Sequence, residues 1–349
     1  MIKLDNAHLV FAFPDVHPKA NLTIDFQRTL RIPDDDKHYP LPPGLGSFPL
    51  HHVDDYSRQV PDLWVEHGGV MFPMYQAEAM WLNFESTHVD DRAAHYPFAI
   101  KIAAGKICAV TGKAWNKNLK RKPQNYVIVP IQPWLDGYCV KKGVIRQFVA
   151  MPLGAGYTAE EQITDQGEHG GVQIEVFPMK RSVFEKRFPK VQRDLSRYDR
   201  LEMPTKGIYF EVGAAAKSLD MGLAPGGKMK QEIYDDPYGL DAWDLTQSSR
   251  CFAHIANSLV WRAITGKNPP FPPPTSKEYS NAGLPWFDYY DEGAQAVEGS
   301  DILSKLKSVI QMGKKKGDVP LPENEPVKPD HIIELRRGLK KDQVREGRF

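Results

Sequence analysis

From Tyr96 to Val212 the chain alternates. Phe98, Ile100 and Ile102 share one parity, with Ala99, Lys101 and Ala103 on the other, and the Ala104-Gly105 corner leads into Ile107-Cys108-Ala109-Val110. Tyr126 to Val129, Val144 to Val149, Val172 to Val176 and Ile208 to Val212 follow, separated by turn-forming stretches. A period of two sends every second side chain to one face, the pattern of a strand that buries one side. Runs of such strands followed by helices predict an α+β protein rather than an alternating α/β sheet. The expected architecture is an antiparallel β-sandwich or jelly-roll-like core of about eight strands with a helical C-terminal segment.

The pattern divides the chain into residues 1–240, a β-rich core with Pro-rich loops; 241–316, mostly helical and packed on that core; and 317–349, an extended polar tail. Leu22, Ile24, Phe26, Leu30 and Ile32 lie on one parity of a long amphipathic strand, with His8 to Phe13 as its partner. Left uncovered, such a strand would be an edge that invites a second chain. Met71 to Phe84 fits either a helical stripe or a buried strand. Trp243 to Thr265 predicts the clearest helix, because Phe252, Ile255, Ala256, Leu259, Val260 and Ala263 recur three and four apart before Gly266. Thr275 and Glu278 form a capping-box pattern, and a last helix is expected from Ser300 to the lysines after Gly313.

Composition narrows the function classes. With 349 residues the chain can bury about three quarters of its unfolded surface, so it needs neither disulfide nor metal to fold. A net charge of +1 supplies no overall field for nucleic acid or an anionic membrane. Cys108, Cys139 and Cys251 show no metal-ligand spacing and are expected to be reduced, which favours the cytoplasm. No run approaches the roughly 20 apolar residues that span a bilayer, so a soluble protein is expected.

Several phrases are distinctive. Arg146 to Gly154 leads into Gly156-Tyr157-Thr158; Lys230 to Tyr234 runs into Asp235-Asp236-Pro237-Tyr238-Gly239; Ala282 to Tyr290 is a third. Together with Met71 to Gln76 they resemble a family of uncharacterised bacterial and fungal proteins, some of them labelled integral membrane protein. The resemblance covers most of the chain and implies no activity, cofactor or active site.

The tetrapeptide His-Val-Asp-Asp occurs twice and gives the candidate metal ligands His52, Asp54, Asp55, His88, Asp90 and Asp91, with His51 and His95 beside them. Imidazole and carboxylate suit a divalent metal, whose bound water would become a nucleophile. The bland reading is that these side chains are solvated or bond nearby backbone at turns. Leu153 to Thr158, followed by Thr158-Ala159-Glu160-Glu161, has the order strand, glycine loop, helix start that suits phosphate, or else is a turn and an N-cap. Gly226-Gly227-Lys228 reads as a surface turn. Lys113 to Lys122 surrounds Trp115 with cations, as a nucleic-acid contact or a solvated loop would. Trp243, Trp261 and Trp286 suit core packing, an interface or a sugar site. No Gly-x-Ser-x-Gly elbow occurs. The leading expectation is a soluble β-rich scaffold or binding protein, self-associating as a homo-oligomer or meeting a protein partner, with no cofactor, membrane or nucleic acid. The alternative is a metal-assisted hydrolase using the two His-Val-Asp-Asp segments.

Overall fold

The computed structural model describes residues 1–191, 220–290, 295–318 and 326–336. Ten strands carry the architecture: β1 (Ile2–Asp5), β2 (His8–Ala12), β3 (Asn21–Thr29), β4 (Val70–Met74), β5 (Ala79–Ser86), β6 (Phe98–Ala104), β7 (Val144–Pro152), β8 (Val172–Pro178), β9 (Asp220–Lys230) and β10 (Ser249–Asn257). Seven short helices accompany them: α1 (Asp62–His67), α2 (Ala159–Thr164), α3 (Arg181–Arg187), α4 (Ser258–Thr265), α5 (Ser276–Asn281), α6 (Asp301–Ser304) and α7 (Val309–Lys316). The expected strand at Ile208 to Val212 lies outside the described residues.

Antiparallel pairing runs from β1 through β2, β3, β5, β7, β9, β10 and β8 to β6. β4 lies parallel along the opposite side of β10 from β8 and β9. The result is an α+β, mainly antiparallel, sandwich-like fold. Its two layers meet where Phe26 of β3 stacks on Phe72 of β4, ring centroids 4.8 Å apart. Around that contact Leu22, Ile24, Phe98, Ile100, Ile174 and Ile255 form one apolar core.

Parity holds in the middle of the chain, but the second face is covered as well. Every residue of β6 and β8 is buried, and Lys101 is only 1% exposed. The strand proposed as an open edge is interior: β3 pairs with β2 on one side and β5 on the other. Trp243, Trp261 and Trp286 are all buried, which places them in cores rather than on a surface.

The expected helix from Trp243 is corrected. Residues 243–248 are a bridge and a turn, Ser249–Asn257 is β10, and only Ser258–Thr265 is helical. A strand packed on both faces has apolar residues at both parities, and these mimic three- and four-residue spacing. The changeover is at Asn257, whose side chain accepts from the Leu259 amide and caps α4, and Gly266 closes the helix in the left-handed conformation. Met71 to Phe84 proves to be β4 and β5 joined by a tight turn in which the Glu78 carboxylate accepts the Tyr75 amide. The last expected helix is two helices, because Ser308 caps a new one with Gln311. The capping boxes at Thr158 and Thr275 are formed. Gly226 and Gly227 sit inside β9 instead of in a surface turn. A Cβ on Gly227 would stand 2.4 Å from the Pro33 carbonyl oxygen. No helix among the described residues is long and apolar enough to cross a membrane.

Candidate functional site

The polar groups gather on the outer face of β6, β8 and β10. Lys101, Glu175 and Arg250 are register partners across the three strands, and Ala103, Gln173 and Phe252 form the next row. Side chains two apart share a face, so Arg250, Phe252 and His254 line up along β10 while Cys251, Ala253 and Ile255 enter the core. Trp115 lies over the first row. The Lys101 ammonium stands 4.3 Å and the Arg250 guanidinium 5.2 Å from its ring centroid. The basic loop around Trp115 therefore turns its aromatic inward.

Two loops deliver histidines onto this face, and they have the same sequence. Glu66-His67-Gly68-Gly69-Val70 enters β4, and Glu168-His169-Gly170-Gly171-Val172 enters β8. Val70 and Val172 flank one residue of β10, Ala253, on its two sides. All four glycines have positive φ, from 55° to 89°. A Cβ on Gly69 would meet the Phe252 carbonyl oxygen at 2.1 Å, and one on Gly171 the Ala253 carbonyl oxygen at 2.6 Å. Glycine is required there by both conformation and contact. The close approach lets each loop cross the β10 backbone and lay its histidine over the sheet.

The rings then stack. His67 lies nearly parallel to Phe252 at 4.5 Å and to His169 at 5.8 Å, and His254 stacks on Trp64 of α1 at 4.8 Å. Glu160 of α2 holds His169: one carboxylate oxygen is 3.0 Å from Nδ1, and the other accepts the amides of His169 and Gly170. A carboxylate only accepts, so Nδ1 carries the proton. Nε2 of His67 and of His169 has no hydrogen-bond partner among the described residues. Burial lowers the basicity of His67, assisted by the charge of His169 and opposed by Glu66. His254 is pushed down to about 4 by burial and donates through Nε2 to the Gly68 carbonyl. Asp220, at the start of β9, is raised to about 7 by burial and accepts from Trp64 Nε1 at 3.2 Å. The arrangement joins a neutral imidazole, an imidazole oriented by a carboxylate and a carboxyl raised to about 7 within an aromatic frame. It can give and take protons.

The sequence-derived candidates lie elsewhere. His52, Asp54 and Asp55 are exposed around a one-turn helix beside β4, where His51 bonds the Tyr56 hydroxyl. His88 bonds the Asp90 carboxylate at 2.9 Å in a small hairpin with His95, and Asp91 pairs with Lys190. In each copy the valine is the buried member. Among the described residues no group of three or more His, Cys, Asp or Glu side chains is placed to hold a metal ion. The glycine loop at residues 154–156 offers no empty cradle, since Glu161 takes the amides of Gly156 and Thr158.

The repeated Glu-His-Gly-Gly-Val was the available signal for the histidine site. It escapes a reading that searches for longer repeats or metal spacings. Comparison with family models, curated proteins and solved structures gives no match.

Proposed function

We propose that the protein binds a small anionic molecule at the twin His-Gly-Gly loops and catalyses proton transfer on it, as in the cleavage or transfer of an ester. The convergence of two identical pentapeptides on the two sides of Ala253, stacking His67 and His169, carries the reading. General acid–base chemistry needs one group to take a proton while another gives one. His67, kept neutral by burial, is the acceptor. His169, with its Nδ1 proton committed to Glu160, presents a bare Nε2 that also accepts and, once protonated there, becomes the donor. The cations Lys106 and Arg250, which act electrostatically on His67, favour a negative substrate. This reading keeps the binding half of the expectation from sequence. Self-association through β3 has no free strand side to use.

Chromogenic carboxylic esters, phosphomonoesters and phosphodiesters assayed from pH 5 to 9 test the proposal. One class is expected to be turned over with a bell-shaped pH profile. His67→Gln and His169→Gln are each expected to lower kcat by roughly 10²- to 10⁴-fold with the fold intact by circular dichroism. Turnover of no class above the level of the two variants would overturn it.

A further inference from the structure

A second candidate groove lies between the 154–156 glycine loop, α2 and the α6–α7 segment. Its volume is about 830 Å³, within the size range of sites for small organic ligands. Four lysines line it, Lys305, Lys307, Lys315 and Lys316, against two carboxylates, Glu161 and Asp165. Glu161 is committed to the Gly156 and Thr158 amides and the Thr158 hydroxyl. Lys316 braces the wall by donating to the Ala155 carbonyl. Lys305, Lys307 and Lys315 form no ion pair among the described residues. Leu306 and Met312 supply an apolar floor.

Lysines at the end of α7 complement the helix dipole and alone would mean little. Lys307 is different. It precedes the Ser308 N-cap, where the dipole opposes a cation, and it faces the same groove as the lysines at the far end. Local charge thus exceeds what the helix calls for, in a chain whose net charge is +1. We propose that this groove binds a small phosphate monoester free in solution, its dianion among Lys305, Lys307 and Lys315 and its organic part on Leu306 and Met312. The lysines act as point charges, which suits phosphate without demanding a fixed bidentate geometry.

Isothermal titration with phenyl phosphate, inorganic phosphate and vesicles of phosphatidic acid in phosphatidylcholine tests this. Phenyl phosphate is expected to bind more tightly than inorganic phosphate, and to be lost in 1 M salt, where screening acts within about 3 Å. The triple variant Lys305→Ala, Lys307→Ala, Lys315→Ala is expected to weaken binding roughly tenfold, its folding checked by thermal unfolding. Asp165→Asn, which removes a negative charge from the rim, is expected to tighten it about threefold, and keeps the test open should the triple variant fail to fold. The proposal is overturned by absence of phenyl phosphate binding, by equal binding of inorganic phosphate, by unchanged affinity in a folded triple variant, or by binding to vesicles alone.

Discussion

Asp220 shows how much one buried group can tie the fold to pH. Burial raises its carboxyl to about 7 from an ordinary value of 3.8. Below the lower value it is protonated folded or unfolded. Between the two only the folded chain holds the proton, so stability falls as pH rises through this window and levels off above it. Asp136, likewise raised to about 7 by burial, adds a slope of the same sign. His254, lowered to about 4 from 6.5, opposes both over the range between those values. Asp220→Asn keeps an oxygen for the Trp64 indole and removes one titration. The loss of unfolding free energy between pH 5 and pH 8 is expected to shrink by on the order of 3 kcal/mol, read from urea unfolding at both values. An unchanged loss would mean that Asp220 is ionised at neutral pH in the folded protein.

At the scale of elements, the glycine pairs decide where the histidine loops run. Gly69→Ala places a Cβ against the Phe252 carbonyl oxygen in a left-handed conformation. The expected cost is about 2–4 kcal/mol by denaturant unfolding, with loss of the His67–Phe252 stack. Gly46, also at positive φ but with open space around it, is the control and should cost less. The strands of the middle region were legible because alternation survives in Phe98, Ile100 and Ile102. The caps at Thr158 and Thr275 were legible because a capping box is a local device. β10 was not, since on its second face only Arg250 is exposed while Phe252 is half-buried and His254 buried, and alternation fades with the contrast. The candidate site was hidden for a related reason. Its members come from α1, α2, β9, β10 and two loops, and only the sheet register makes neighbours of them.

For the whole molecule, the pairing bears on assembly. The expectation of a homo-oligomer rested on strand edges such as Leu22 to Ile32 and on the aromatic C-terminal region. β3 is paired on both sides, and Trp243, Trp261 and Trp286 are buried. Light scattering over a broad concentration range is expected to give the mass of a monomer. A stable dimer mass would direct attention to another surface. The two polar sites are bridged by a single short helix, because adjacent residues of α2 serve both: Glu160 holds His169 and Glu161 closes the glycine loop.

The layered rings also furnish an intrinsic spectroscopic reporter. An imidazole lying flat over a phenyl ring at 4.5 Å sits in its shielding cone, so the carbon-bound protons of His67 should resonate upfield of those of exposed histidines such as His52. Any molecule that enters between the loops must disturb that magnetic environment, and a proton spectrum would register its arrival before its chemistry is known.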